Sequence, residues 1–109
     1  MTDIERNAAL AVLFGEDRDA PRDFTRPGVL APLAERLLQQ WNADYRDQYY
    51  MWTHTFLPLE SGTAHAVQIS YCPWPYHKNF RDTHSAGYGE GSTYEVALGI
   101  ALLDAITED

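Results

Sequence analysis

Apolar residues recur at helical spacing in two stretches of the first half of the chain, and a polar segment separates them. The first stretch has its apolar side chains at Ile4, Ala8, Ala11 and Phe14. The second has them at Leu30, Leu33, Leu37 and Trp41. This period predicts a helix within residues 1–15, capped by Thr2 or Asp3, and a second helix that begins near residues 28–31. Residues 16–27 alternate in charge, which predicts a solvated connector.

Strand patterns follow in the middle of the chain. Polar residues 42–48 are predicted to turn the chain into a strand over residues 49–59, which is rich in aromatic and threonine side chains. Residues 60–63 are typical of a hairpin turn, and residues 64–72 form the predicted returning strand. In that strand the odd-numbered residues from His65 to Tyr71 alternate with small or polar residues, which predicts one covered and one polar sheet face.

Glycines and an apolar helix mark the C-terminal part of the chain. Positions 87, 89 and 91 are glycines, which predicts a backbone turn after a short third strand over residues 83–88. Ser92 and Glu95 have the spacing of a capping box, so a helix is predicted from residue 93 to about residue 107.

The order of predicted elements indicates an α+β two-layer sandwich, in which a small antiparallel sheet of about three strands carries the helices on one face. The 109 residues are predicted to form a single domain, made of the N-terminal helix (1–15), the connector (16–27) and an α-β-β-β-α core (28–109). The last helix has little polar surface until Asp104, and its three apolar ridges are more than one sheet face covers. Either a partner copy in a homo-oligomer or burial within one chain would cover them.

The chain is acidic, with a formal charge of −8. An acidic surface repels phosphate backbones at long range, so no duplex nucleic-acid partner is expected. The single cysteine, Cys72, cannot form an internal disulfide, which is typical of a reducing compartment. The longest apolar run, residues 96–103, is too short to cross a bilayer, and the N-terminus lacks a signal-peptide pattern. We therefore expect a cytoplasmic protein with no membrane partner.

Aromatic, basic and hydrogen-bonding side chains collect between the second strand and the last helix. Rings stack on nucleobases, Lys and Arg pair with phosphates, and backbone N–H groups at a helix N-terminus favour anions. The combination predicts a site for a small anionic nucleotide. Its predicted ligand-binding residues are Trp74, Tyr76, His77, Lys78, Asn79, Arg81, His84, Tyr88, Gly89, Gly91, Ser92 and Thr93. The alternative is an irregular loop whose rings complete the core, and Glu90 and Glu95 oppose a phosphate at the glycines.

Catalytic and metal chemistry has less support in the sequence. Cys72, His77 and His84 follow no zinc pattern. His54 and His65 fall on predicted strands, where a structural role is expected. A nucleophile pair of Cys72 and His77 competes with the interpretation of Cys72 as an inert core residue. The prediction is therefore a protein that is not an enzyme, with no metal and no cofactor.

The order of elements and the glycine-rich lead into an alanine-rich last helix resemble the double-stranded-RNA-binding domain. The matching residues are 87–92, with Ala97 and Ala101 in the helix. That family grips phosphates with lysines at the start of its last helix, where this chain has Thr93, Tyr94 and Glu95. The resemblance implies the topology and not the RNA-binding activity.

Four stretches together resemble the small phage-encoded ABA-sandwich proteins. They are residues 8–15, Phe24-Thr25-Arg26-Pro27, residues 33–41 and the helical residues 93–102. This resemblance implies a phage origin and a location in the cytoplasm of an infected bacterial host. Small phage proteins of this kind include oligomeric sponges that sequester nucleotide second messengers of antiviral defence.

Two functional hypotheses follow. The first is a phage anti-defence protein that binds and sequesters a cyclic nucleotide or an ADP-ribose-type ligand without turnover, as a homo-oligomer. The alternative is a protein-interaction module that inhibits or adapts a host protein through its acidic or aromatic surface. A small hydrolase that uses His77, His84 or Cys72 is a third, less supported class.

Overall fold

The computed structural model of the chain describes residues 1–45, 48–59, 62–73 and 83–107. Within these ranges, helices α1 (Asp3–Leu13) and α2 (Leu30–Asp44) precede strands β1 (Gln48–Leu59), β2 (Gly62–Pro73) and β3 (His84–Gly91), and helix α3 (Tyr94–Thr107) follows. The strands form one antiparallel sheet in the order β1-β2-β3, and the helices pack against it. The predicted α+β architecture with a small antiparallel sheet is confirmed.

Helix α1 begins with a capping box formed by Thr2 and Glu5. The Glu5 N–H donates to the Thr2 hydroxyl at 3.2 Å, and the Thr2 N–H donates to the Glu5 carboxylate at 3.2 Å. Gly15, with a φ of 74°, follows the end of the helix, where the sequence predicts a stop. The predicted N-terminal helix and its Thr2 cap are confirmed.

The connector after α1 is not entirely solvated, and the prediction is wrong at Phe24. This residue is 1% exposed, and its ring lies 5.8 Å from the ring of Phe14. Its N–H donates to the side chain of Asn7 at 3.2 Å, which anchors the connector on α1. Because Phe24 is a single apolar residue among charged ones, the sequence pattern did not identify it as a core residue. Charged neighbours such as Arg22 are exposed, as predicted.

Helix α2 continues to Asp44, so the predicted turn over residues 42–48 begins later than expected. Asn42 is held in the last turn of the helix by the first strand. Its side-chain amide donates to the Tyr50 carbonyl at 3.1 Å, and its side-chain oxygen accepts from the Tyr50 N–H at 2.6 Å. The two bonds take the place of a neighbouring strand on the outer edge of β1. They fasten the end of α2 to the sheet.

The strand register places alternate side chains in rows on the helix-covered face of the sheet. Trp52 on β1 lies opposite Ile69 on β2, and Ile69 lies opposite Gly87 on β3. Val67 and Ile69 are fully buried, whereas Gln68 between them is exposed. The predicted alternation in β2 is confirmed at these positions.

The glycines at 87, 89 and 91 lie in a strand, and the predicted turn is wrong. β3 extends through all three positions, and none of them has a positive φ angle. A Cβ atom added at Gly87 would lie 2.3 Å from the Ala101 carbonyl oxygen. One added at Gly89 would lie 2.3 Å from the Ala97 carbonyl oxygen. The glycines are therefore required for the close approach of β3 to a stripe of alanines on α3.

Helix α3 is capped by Thr93 and not by Ser92. The Val96 N–H donates to the Thr93 hydroxyl at 3.2 Å. The predicted capping box of Ser92 and Glu95 is wrong by one position, because β3 occupies the chain up to residue 91 and the helix starts at residue 94. The first helical residue is therefore one position later than the sequence predicts.

Helix α3 has more buried residues than α1 or α2, and α2 also packs directly on β1. The buried residues of α3 are Ala97, Leu98, Gly99, Ala101, Leu102 and Leu103. It packs against β2 and β3 and also against α1 and α2. Most of its apolar ridges are therefore covered within one chain. This agrees with the second of the two predictions above, burial within one chain, and not with cover by a partner subunit. The homo-oligomer stays a prediction, but its main argument from this helix no longer applies.

Candidate ligand-binding site

An open pocket lies at the end of the sheet where β1 and β3 begin and β2 ends. Its volume is about 420 Å³, within the range of about 300–1,000 Å³ that small-molecule sites span. It is lined by Trp41, Tyr45, Gln48, Tyr50, Tyr71 and Ser85, together with Ala86, Ala105 and Ile106. We call it the aromatic pocket. The last turn of α2, the sheet and the C-terminal part of α3 all contribute to it.

Four rings form a continuous row along the aromatic pocket. The Trp41 ring lies 5.3 Å from the Tyr50 ring, with the planes inclined by 64°. The Tyr50 ring lies 5.6 Å from that of Tyr71, which lies 5.3 Å from that of His84. Rings at such distances hold one another's orientation. The ring planes are thus oriented before any ligand binds, and His84, a predicted site residue, lies beside the pocket.

Hydrogen-bonding groups accompany these rings. The Tyr50 hydroxyl donates to Gln48 Oε1 at 2.8 Å. Ser85 is exposed and also contributes to the lining. Tyr45 is 53% exposed, so part of its ring is accessible to a ligand. The arrangement suits a planar ligand that carries donors and acceptors at its edge, since stacking on a ring contributes about 1–3 kcal/mol per base.

The structure places the predicted site residues in different parts of the molecule. Those that lie outside the described residues are Trp74, Tyr76, His77, Lys78, Asn79 and Arg81. His84 is the first residue of β3 and Gly91 the last, seven positions apart on an extended strand, or about 23 Å. Ser92 and Thr93 follow Gly91. The structure therefore does not bring His84 and the start of α3 into one site.

The middle of β3 is acidic. The Tyr88 N–H donates to the Asp104 carboxylate at 3.0 Å, and the Tyr88 hydroxyl donates to the Glu90 carboxylate at 2.6 Å. The hydrogen bond to Glu90 raises the pKa of Tyr88, and desolvation and the negative charge of Glu90 act in the same direction. Gly89, between them, packs on α3. Tyr88 and Gly89 thus have structural partners, and the nearby carboxylates repel an anion.

The opposite end of the sheet holds a cluster that the sequence did not predict. His54 Nε2 and His65 Nδ1 lie 2.8 Å apart, in hydrogen-bond contact. The Tyr94 ring lies 4.4 Å from that of His54, and Trp52 Nε1–H donates to the Tyr94 hydroxyl at 2.9 Å. The Phe56 ring lies 4.8 Å from His54 and 5.0 Å from His65. We call these five residues the histidine cluster.

The hairpin register explains the contact between the two histidines. Leu59 pairs with Gly62, so two residues connect β1 and β2. Phe56 therefore pairs with His65, and His54 is the diagonal neighbour of His65 on the same face. The sequence pattern predicts a turn at residues 60–63, but it does not determine which residues of β1 and β2 pair with each other. A shift of one residue would send these side chains to opposite faces, so the pair could not be identified.

Metal and thiol chemistry has few candidates in the part of the chain that the structure describes. There, no group of three or more His, Cys, Asp or Glu side chains is placed to hold a metal ion. Cys72 is buried, with its Sγ 3.9 Å from the Tyr49 carbonyl oxygen. Its suggested partner, His77, lies outside the described residues. Nor is any described helix both long and apolar enough to cross a membrane.

Comparisons with protein-family models, curated proteins and solved structures gave no match. The resemblances to the double-stranded-RNA-binding domain and to the phage-encoded ABA-sandwich proteins therefore stay expectations from short sequence motifs.

Proposed function

We propose that this protein binds a small anionic ligand of the nucleotide class in the aromatic pocket and holds it without chemical turnover. The observation that carries the proposal is the row of rings from Trp41 through Tyr50 and Tyr71 along an open cavity of about 420 Å³. A nucleobase is planar and polar at its edge. It stacks on such rings, and the side-chain amide of Gln48 offers it hydrogen bonds.

Cationic residues adjoin the pocket in the sequence. β2 ends and β3 begins at this end of the sheet, so both described flanks of segment 74–82 lie beside the pocket. That segment contains Lys78 and Arg81, and Arg46 directly follows the pocket residue Tyr45. A phosphate group requires local cations here, because the chain as a whole carries a charge of −8.

Sequestration fits the side chains that line the pocket. Rings, an amide and a hydroxyl bind and orient a ligand, whereas nucleotide hydrolysis requires an activated nucleophile or a metal-bound water. The resemblance to phage sponge proteins makes cyclic nucleotides and ADP-ribose derivatives of antiviral signalling the first ligands to test. A role in anti-defence within an infected bacterium is the finer part of this proposal.

Calorimetric titration of the full chain with cyclic di- and trinucleotides and ADP-ribose derivatives tests the proposal. We expect at least one ligand to bind, and Tyr45→Ala to weaken its affinity about 5- to 150-fold, which corresponds to one lost stacking contact of about 1–3 kcal/mol. Phe56→Ala is the matched control, because it removes a ring of similar exposure, 62% against 53%, at the opposite end of the sheet. The control is expected to bind like the parent.

The same samples distinguish binding from catalysis. Chromatography after incubation should recover the ligand intact. A product whose formation stops in His84→Ala would instead establish a hydrolase. The absence of heat and of a thermal shift with every ligand contradicts the proposal, as does an equal loss of affinity in Tyr45→Ala and Phe56→Ala.

The homo-oligomer is a separate part of the proposal. Ile106 is 43% exposed and lines the aromatic pocket, so a partner copy that covered it would also enclose a ligand. Native mass spectrometry with and without the ligand panel should show a multiple of the chain mass, and Ile106→Asp should return the monomer. A monomeric parent under both conditions contradicts this part alone.

A protein-interaction role is the second candidate, and exposed apolar side chains on α1 favour it. Ile4 is 80% exposed and Val12 58% exposed, on a helix that buries Leu10 and Ala11. Capture of a stoichiometric host protein that Ile4→Asp abolishes, but that Tyr45→Ala leaves unchanged, would select this function over ligand binding.

A further inference from the structure

The histidine cluster lies where the β1–β2 hairpin extends beyond the start of α3. His65 lies opposite Phe56 on β1 and opposite Gly91, the last residue of β3. Helix α3 starts only at Tyr94, so it does not cover this part of the sheet in full. His54 is accordingly exposed and His65 half-buried. Two paired strands, and not a loop, set the distance between the two imidazoles.

Neighbouring rings pack against both imidazoles and keep them beside each other. The Tyr94 ring, 4.4 Å from His54, is itself fixed by the hydrogen bond from Trp52. The Phe56 ring lies within 5.0 Å of both histidines. One nitrogen of each imidazole therefore faces the other at 2.8 Å. In this arrangement the two nitrogens share one proton, because one ring has to donate and the other has to accept.

We propose that His54 and His65 form a site for one divalent transition-metal ion, with Cu²⁺ the most tightly bound. With metal–nitrogen bonds of about 2.0–2.1 Å, two nitrogens at adjacent corners of a square-planar ion lie about 2.9 Å apart, and two ligands of a tetrahedral ion about 3.3 Å apart. The observed separation of 2.8 Å is close to the square-planar value. The ring centroids lie 5.0 Å apart, so the two nitrogens point almost directly at each other, and each imidazole has to turn by about 45° for the metal to replace the shared proton.

The donor set also selects the class of metal. Imidazole suits copper, nickel and zinc, whereas magnesium and calcium prefer oxygen, and affinity for divalent first-row ions is greatest for Cu²⁺. Among the described residues, no third His, Cys, Asp or Glu side chain joins the pair. Solvent therefore completes the coordination. The site lies at the opposite end of the sheet from the aromatic pocket and does not rest on the proposed nucleotide binding.

Titration of the full chain with CuCl₂, followed by electron paramagnetic resonance, tests the site. We expect one Cu²⁺ per chain with two imidazole nitrogen ligands. His54→Ala and His65→Ala should each weaken binding at least ten-fold, because each leaves a single imidazole. His84→Ala is the matched control, since it removes another exposed histidine at the far end of the sheet. It should keep the affinity and the spectrum of the parent.

Thermal unfolding is the second readout. Because the metal joins two strands of the folded state, Cu²⁺ should raise the Tm of the parent and of His84→Ala, but not that of His54→Ala or His65→Ala. Melting curves without metal check that each variant is folded. The proposal is overturned by the absence of binding, by a spectrum with one nitrogen ligand, or by a stoichiometric site that survives both His54→Ala and His65→Ala.

Discussion

The two ends of the sheet use similar side chains in different ways. At one end, neighbouring rings of the aromatic pocket lie 5.3 Å and 5.6 Å apart and border a cavity of about 420 Å³. At the other end, the rings of the histidine cluster lie against one another, with two imidazole nitrogens 2.8 Å apart. The same three strands run through both ends, so the number and order of the strands do not explain the difference.

The position of the helix ends does explain it. Trp41 from the last turn of α2 and Ile106 from the last turn of α3 form part of the pocket wall. At the other end α3 has only begun, and its first residue, Tyr94, packs on His54. A helix that continues over the end of a sheet supplies a second wall, and a cavity forms between the two. Where the hairpin projects beyond the helix, its rings pack on one another instead.

A change in the contact between β3 and α3 should disrupt both ends at once, and it is the largest effect we expect. A Cβ atom added by Gly89→Ala would lie 2.3 Å from the Ala97 carbonyl oxygen and 2.6 Å from the Ala101 N atom. These are backbone atoms that cannot rotate away, so we expect Gly89→Ala to lower the free energy of unfolding by about 3 kcal/mol or more. Urea unfolding measures this loss. Ligand binding at the pocket and Cu²⁺ binding should both weaken.

Gly99→Ala is the matched control for this substitution. Gly99 is buried in the same helix, but an added Cβ would lie 3.2 Å from the Leu10 Cδ1 atom, the end of a flexible side chain. Alanine also favours a helix interior over glycine by about 0.8–1.0 kcal/mol. We expect a change of less than about 1 kcal/mol. Equal stability of Gly89→Ala and the parent would contradict the close-approach role of the strand glycines.

The same glycines show where prediction from the sequence reaches its limit. The helices, the hairpin and the α+β class follow from local periodicity, and these predictions are confirmed. A glycine that allows a turn and a glycine that allows close packing have the same local pattern. Only the position of Ala97 and Ala101 across the interface distinguishes the two roles. The misplaced cap at Ser92 follows from the same error, because the strand was ended too early.

The candidate sites were predictable to different degrees. The sequence identified the region after β2 as aromatic and basic, and His84 does lie beside the aromatic pocket. The pocket walls from Trp41 and Tyr45 were not predicted, because these residues lie at the end of α2, which is distant in sequence from the predicted site and was expected to end earlier. The contact of His54 with His65 depends on an exact strand register, which hydrophobic alternation alone does not provide.

Asn42→Ala should affect the pocket end and spare the histidine end. The substitution removes both hydrogen bonds between the Asn42 side chain and the Tyr50 backbone. At about 1 kcal/mol per bond, we expect a loss of about 2 kcal/mol in the free energy of unfolding. Asn42→Asp keeps the acceptor and should lose less. Cu²⁺ affinity at the histidine cluster should stay unchanged, and a parallel loss there would show that the two ends are not independent.

Thr93→Ala should have a smaller effect, at the histidine end. It removes the hydroxyl that accepts from the Val96 N–H, and loss of such a cap costs about 1 kcal/mol. Ser92→Ala is the control, and it should stay within about 0.5 kcal/mol of the parent because the substitution lies outside the cap. Chemical denaturation of the two variants measures both values. If Ser92→Ala lost more free energy of unfolding than Thr93→Ala, the result would support Ser92 as the cap, as the sequence predicts.

Tyr88 lies between the two ends, and its alkaline titration should give the smallest effect. The hydrogen bond to Glu90 raises its pKa above the ordinary value of 10.0 in the folded state. Below pH 10.0 the tyrosine is protonated in both the folded and the unfolded chain, so the contribution of this bond is fully present. As the pH rises above that value, the unfolded chain loses its proton first, and the contribution disappears as the pH passes the raised pKa.

The parent should therefore lose stability more steeply than Tyr88→Phe above pH 10.0, because phenylalanine has no proton to release. Glu90→Gln should reduce the slope in the same way, since it removes the charge that opposes ionisation of Tyr88. Denaturant midpoints across the alkaline range measure these slopes. The midpoints of Tyr88→Phe and Glu90→Gln should not fall further when the two changes are combined, because both act on one hydrogen bond. Identical slopes in the parent and in Tyr88→Phe would mean that this bond does not persist in solution. The acidic middle of β3 would then no longer be held in the arrangement that keeps an anion away from Gly89.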